Sequence, residues 1–213
     1  EIAANPESVY DYTFKSNSVA VVTDGSAVLG LGNIGAEASL PVMEGKCVLF
    51  KELADIDAFP ICIKTQNDRE IINIVKNIAP AFGGINLEDI SAPRCFEVER
   101  RLRELLDIPV FHDDQHGTAI VVLAALRNSL KLVKKNLADV TIVMSGAGAA
   151  GTAIARLLMK SGAKNIMAFD TKGAIHNGTK TEDPMRRWFI DNCNPNNFTG
   201  TLSEAMKGAD VFI

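Results

Sequence analysis

Two acidic doublets are the most chemically loaded residues of the chain: Glu88-Asp89 in "GGINLEDIS" and Asp113-Asp114 in "PVFHDDQHGTA". Adjacent carboxylates repel each other unless positive charge lies between or beside them. One acid at such a place is well explained as a helix start, where it accepts from free amides and meets the positive end of the dipole. Two doublets, each after an apolar run and before a helical pattern, point to a shared site. Acids emerging at the carboxyl ends of strands are where α/β proteins build one. Three or four converging carboxylates with water suit a hard cation, Mg²⁺ or Mn²⁺. A zinc site would instead use His112 and His116. Their i,i+4 spacing needs a helix, yet an apolar strand pattern ends just before them, Gly117 follows, and no cysteine lies near. Lys46 in "VMEGKCVLF" is the third candidate. It is either a surface lysine whose stem covers apolar neighbours, or a base tuned by burial and the acids.

A different chemistry is suggested by glycine. The pattern G-x-G-x-x-G occurs as "GLGNIG" (residues 30–35) and as "GAGAAG" (residues 146–151). Its meaning depends on a strand before it, a helix after it and an acid about 20 residues on, at the end of the next strand. The second copy meets each condition: "VTIVMS" precedes it, "AGTAIARLLMKSG" follows, and "NIMAF" ends in Asp170, nineteen positions after Gly151. Gly146, Ala147, Gly148, Ala149, Ala150 and Gly151 therefore form the candidate dinucleotide turn, with the pyrophosphate on the helix N-terminus. Asp170 would accept from the ribose hydroxyls. Its charge disfavours a 2′-phosphate while Lys172 partly offsets it, so NAD is expected ahead of NADP. In the first copy the following "AEASLPVMEGK" is short and interrupted by Pro41. No full crossover helix is expected there, only a structural or substrate-side loop.

The elements that must position these residues form an α/β pattern. "VAVVT" (residues 19–23), closed by Asp24-Gly25, is strand-like, as are "AFPICIK" and "IPVF". "SAPRCFEVERRLRELL" predicts a half-exposed helix with ion pairs Glu97/Arg101 and Glu99/Arg103. "TAIVVLAALRNSLKLVKK" predicts a buried helix with a basic end. The domain boundary is expected near residue 117, giving domains 1–116 and 117–213. The 213 residues carry 22 Lys plus Arg and 26 Asp plus Glu, a net charge of −4, so neither nucleic acid nor an anionic membrane is an expected partner. Cys47, Cys62, Cys95 and Cys193 show no C-x-x-C spacing, and Cys47 and Cys62 lie within apolar runs, so buried thiols in a reducing cytoplasm are expected ahead of disulfides. No apolar run approaches the roughly 18 residues of a membrane span. With no initiator Met and an apolar end at "KGADVFI", the chain is expected to be a piece of a longer protein.

"TDGSAVLGLGNIG", "PVMEGKCVLFK", "FGGINLEDI", "PVFHDDQHGTA" and "GAGAAG", in that order, resemble the malic enzymes in their shorter bacterial form. The resemblance extends from about residue 19 to residue 170. It implies an N-terminal malic-enzyme-type substrate and metal domain (1–116), followed by a truncated, Rossmann-like NAD(P)-binding domain (117–213). It implies that Glu88, Asp89 and Asp114 are ligands of Mg²⁺ or Mn²⁺, that Lys46 is the general base, and that Asp113 is its electrostatic partner. Residues 147–150 fall where the family contacts the cofactor pyrophosphate. His112 and His116 then become supporting residues. The implied reaction is oxidative decarboxylation of (S)-malate to pyruvate and CO₂ with reduction of NAD(P)⁺, in a homodimer or higher homo-oligomer.

Some family features do not map onto this chain. The family's acidic tyrosine belongs to a motif upstream of residue 1, and Tyr10 and Tyr12 lie outside any such motif. The asparagine motifs that hold substrate and cofactor belong downstream of residue 213. Ala27 stands where many longer members have a substrate-binding arginine. Two rival functions follow: a relative that decarboxylates oxaloacetate without net redox chemistry, and a non-catalytic NAD-binding regulator. The carboxylates and the lysine argue against the latter, because binding NAD needs none of them.

Overall fold

A computed structural model describes all residues, 1–213. Contacts divide the chain into two compact units, Glu1–Asp113 and Asp114–Ile213. The first unit runs α1 (Val9–Tyr12), β1 (Ser18–Thr23), α2 (Gly35–Ala54), β2 (Asp57–Cys62), α3 (Asp68–Ile78), β3 (Gly84–Leu87), α4 (Arg94–Leu105) and β4 (Val110–His112). Its strands form one sheet of order β2-β1-β3-β4, every pair parallel. Ala20, Val21 and Val22 of β1 are fully buried, and so are all four residues of β3, as expected where helices cover both faces. Pro60 sits on β2, an edge strand, where a missing N–H costs no ladder bond on the outer side. From β1 the chain goes outward to β2 and then returns past β1 to β3. The order therefore reverses between β1 and β3, and their carboxyl ends flank the crevice of a doubly wound sheet.

Two expectations for this unit need correction. Helix α2 is 20 residues long and runs straight through Pro41, so β1-α2-β2 is a full parallel crossover. "CVLF" continues the helix and does not open a strand. Ala36, Ser39 and fully buried Met43 form a stripe at i, i+3/i+4 spacing. Anchoring of that stripe outweighs the one hydrogen bond that Pro41 cannot make. Helix α4 is half-exposed as expected, but its ion pairs are others. Arg100 pairs with Glu97 (2.7 Å) and Glu104 (2.6 Å). Glu99 lies on the buried stripe with Cys95, Val98 and Leu102, and its carboxylate accepts the His112 backbone N–H at 3.2 Å.

The second unit contains α5 (Asp113–Leu132, less its first residue), β5 (Thr141–Ser145), α6 (Ala149–Lys160), β6 (Asn165–Asp170), β7 (Gly173–Ala174), α7 (Pro184–Asn192), α8 (Leu202–Ala205) and β8 (Val211–Phe212). Its sheet order is β7-β6-β5-β8, parallel apart from the β6-β7 pair. Ile142, Met144, Ala155, Leu158, Ile166 and Phe189 form its core. Helix α5 contributes Ala119, Leu126 and Leu130 to that core, but Ile120 and Val121 are 54% and 63% exposed. The helix is thus not buried on all faces. Apolar composition around a helix does not say how much of its circumference meets a sheet. No helix is long and apolar enough to cross a membrane.

Candidate functional site

At the carboxyl edge of the first sheet the loops after β1 and β3 are knitted together by backbone. The Glu88 N–H donates to Val22 O (2.9 Å), and the Ala27 N–H donates to Asp89 O (2.9 Å). Asp89 has φ 53°, the left-handed region that Asp tolerates better than most residues. Helix α5 starts at Asp113 directly after β4, so the two aspartates stand in its first turn. Helix α2 delivers Lys46. Its ammonium lies 2.7 Å from Asp113 Oδ2 and 3.1 Å from Glu88 Oε2. Asn86, buried on β3, donates its amide to Glu88 Oε2 at 2.8 Å. One ligand oxygen from each of Glu88, Asp89 and Asp114 lies within 4.8 Å of the others. The adjacent aspartates thus face different neighbours: Asp113 meets Lys46, and Asp114 meets Glu88 and Asp89.

Electrostatics bear on whether a cation fits. Burial pushes the Glu88 carboxyl up to about 7, against the pull of Asn86 and Lys46. Burial alone would lower Lys46, but Asp113 and Glu88 more than offset it and hold the ammonium above its ordinary value. The Glu88 carboxylate thus carries a desolvation cost that its shared ammonium does not remove. A divalent cation among three carboxylate oxygens relieves it, and an all-oxygen donor set suits Mg²⁺ or Mn²⁺. The residues present fit such an ion.

The first glycine pattern serves this unit by closing a loop on itself. The N–H groups of Ile34 and Gly35 both donate to Gly25 O (3.0 and 3.1 Å), and Val28 bridges Gly32. A Cβ on Gly25 would stand 2.1 Å from Gly35 O, so only glycine allows this approach. Beside it lies a network that the sequence reading missed. Asp24, at the end of β1, is 1% exposed and pairs with Arg94, the first residue of α4. A cation at a helix N-terminus opposes the dipole. That local misfit in "SAPRCF" was the available signal that Arg94 has work elsewhere.

In the second unit the glycine turn is short. Gly146 has φ 135°, Gly148 is the N-cap of α6, and a Cβ on Gly151 would stand 2.0 Å from Gly146 O. A Cβ on Gly148 would meet nothing within 4 Å, which leaves room over the helix N-terminus for an anionic ligand. Asp170 ends β6 as expected. Its Oδ1 accepts the Lys172 N–H at 2.6 Å, and its Oδ2 lies 2.5 Å from Arg186. Lys172, the nearby cation expected from the sequence, meets Asp170 through its backbone N–H, and Arg186, which the sequence did not single out, brings a guanidinium.

A model of the "Malic enzyme, N-terminal domain" matches residues 3–73 and 65–103, and a model of the "Malic enzyme, NAD binding domain" matches residues 115–207. The chain belongs to the malic enzyme family. An NAD-dependent malic enzyme of Geobacillus stearothermophilus is 59% identical over 212 residues, covering 100% of this chain and 44% of that protein. An NADP-dependent malic enzyme of Rhizobium meliloti is 50% identical over 213 residues, covering 99% of this chain and 28% of that protein. The crystal structure of a malic enzyme from Pyrococcus horikoshii superposes with a TM-score of 0.95 at 52% identity, covering 100% of this chain and 51% of that one. The chain thus spans about half or less of the malic enzymes it matches. The α/β architecture and the nucleotide-binding character expected from the sequence agree with these matches.

Proposed function

We propose that the protein to which this chain belongs catalyses the oxidative decarboxylation of (S)-malate to pyruvate and CO₂, with NAD(P)⁺ as hydride acceptor. The observation that carries this reading is the gathering of Glu88, Asp89 and Asp114 within 4.8 Å beside a Lys46–Asp113 pair of 2.7 Å. Glu88, Asp89 and Asp114 hold Mg²⁺ or Mn²⁺, which when bound supplies Lewis-acid polarisation of the substrate's C2 oxygen. Gly146, Ala147, Gly148, Ala149, Ala150 and Gly151 would hold the cofactor pyrophosphate, and the nicotinamide would supply the hydride sink when bound.

Lys46 acts from its neutral form, which a divalent cation on Glu88, Asp89 and Asp114 would favour by offsetting the acids that hold the ammonium. It takes the C2 hydroxyl proton as that carbon is oxidised. Asp113 holds the lysine in place and stabilises the ammonium that results. Asn86 fixes the direction of the Glu88 carboxylate. Asp170 accepts from the ribose, which favours NAD. Arg186 beside it offers a 2′-phosphate a partner, so NADP is accommodated too. Residues 1–116 form the substrate and metal domain and residues 117–213 the nucleotide domain of this reading. By the same family likeness the protein acts as a homodimer or higher homo-oligomer, and its free thiols fit a cytoplasmic setting.

The test is absorbance at the NADH wavelength from full-length protein given malate, NAD⁺ and Mn²⁺. Malate-dependent NADH formation supports the reading. CO₂ released from oxaloacetate with no NADH from malate favours the non-redox relative. NAD binding with neither reaction favours a regulator.

A further inference from the structure

The loop after β3, which carries Glu88 and Asp89, shares one arginine with the loops after β1 and β2. Arg94 has five N–H donors, and five acceptors on three loops meet them. Nη2 faces Asp24 Oδ2 and Ser26 Oγ (3.0 Å), in the loop after β1. Nη1 faces Gln66 O and Asp68 Oδ1 (3.3 Å), where the loop after β2 enters α3. Nε faces Ser91 Oγ (3.4 Å), in the loop after β3 that Arg94 itself closes. A planar fork with every donor engaged is a fixed joint, and it leaves none over for a substrate carboxylate.

Ser26 passes this constraint toward the cluster. Its hydroxyl donates to Asp24 Oδ1 (2.5 Å), and the same oxygen accepts the Ser91 N–H (2.9 Å). The next residue, Ala27, donates its N–H to Asp89 O (2.9 Å). The contacts thus run from Arg94 through Asp24 and Ser26 to both sides of the segment 88–91. Within that segment Asp89 holds a left-handed φ of 53°, which a residue with a Cβ adopts at some cost even where Asp tolerates it, and the two flanking hydrogen bonds support it.

We propose that Arg94, acting through Asp24 and Ser26, is a positioning residue for divalent-metal binding. It holds the loop after β3 so that Glu88 and Asp89 point to one cation, and it touches neither cation nor substrate. The inference rests on the reading of Glu88, Asp89 and Asp114 as cation ligands.

Mn²⁺ binding to the full-length protein, followed by the electron paramagnetic resonance signal of free Mn²⁺, tests it. Arg94→Lys keeps a charge opposite Asp24 but loses the fork, and Mn²⁺ affinity is expected to fall about 10-fold or more, as when outer-shell partners of other metal sites are removed. Ser26→Ala leaves every charge pair intact, so it folds even where Arg94→Lys does not. It should weaken Mn²⁺ several-fold, raise the KM for Mn²⁺ more than it lowers kcat, and be restored by Ser26→Thr. Unchanged Mn²⁺ affinity in Ser26→Ala overturns the proposal. If Glu88→Gln binds Mn²⁺ as tightly as the native protein, the ligand assignment itself fails, and the proposal falls with it.

Discussion

The same six-letter glycine pattern builds two unlike loops in this chain. After β1 the helix begins only at Gly35, and residues 24–34 intervene. Gly30, Gly32 and Gly35, all with positive φ, let that longer segment fold back on Gly25. After β5 the helix begins at Ala149, with only residues 146–148 between strand and helix. Both loops lead into a helix that returns the chain to a parallel strand. A crossover helix therefore does not tell the two loops apart; what distinguishes the second is glycine placed immediately at the strand's end. There the backbone passes close to any ligand lying on the helix N-terminus. The longer loop instead presents side chains, and the charges around it come from several elements.

Substitutions tell the two loops and their sites apart. The largest effect is expected on the side-chain site: Lys46→Ala should lower kcat by about 10²- to 10⁴-fold while leaving NAD⁺ affinity intact, measured by steady-state kinetics and NAD⁺ titration. On the backbone site, Gly148→Leu should weaken NAD⁺ binding about 100-fold or more. Its Cβ meets open space, so the melting temperature should hardly move. Retained NAD⁺ binding would return this turn to a purely structural role. Arg186→Ala should weaken NADP⁺ about 10-fold and NAD⁺ far less, since a ribose hydroxyl needs no cation; equal losses would remove Arg186 from cofactor choice. The smallest effect belongs to the first loop. Gly30→Ala forces φ 76° on a residue with a Cβ and should cost about 1 kcal/mol in denaturant unfolding, with NAD⁺ affinity unchanged.

Much of the molecule was legible because its signals are local. Strands β1, β4, β5 and β6 follow directly from short apolar runs, and Asp170 follows from its distance to Gly151. The acidic doublets were legible as residue types at strand-to-helix junctions. The division of labour within Asp113-Asp114 was not legible in type or spacing and came only with the family resemblance, because it depends on Lys46, 67 residues earlier on α2. Pro41 misled for a related reason: it lowers helix propensity locally, whereas Met43 and its neighbours fix the helix by packing. The Arg94 joint draws on residues 24, 26, 66, 68 and 91, and no periodicity brings those together. Arg186 lies on α7, well beyond the span of the glycine fingerprint, and only the folded chain sets it against Asp170.

Glu88, Asp89 and Asp114 are proposed to hold a divalent cation beside Lys46. Anomalous diffraction from crystals of the full-length protein soaked in Mn²⁺ tests it most directly. A single strong peak in contact with those three carboxylates, with Lys46 close by, is the expected result. A peak on His112 and His116, or no peak between the three carboxylates, would contradict it.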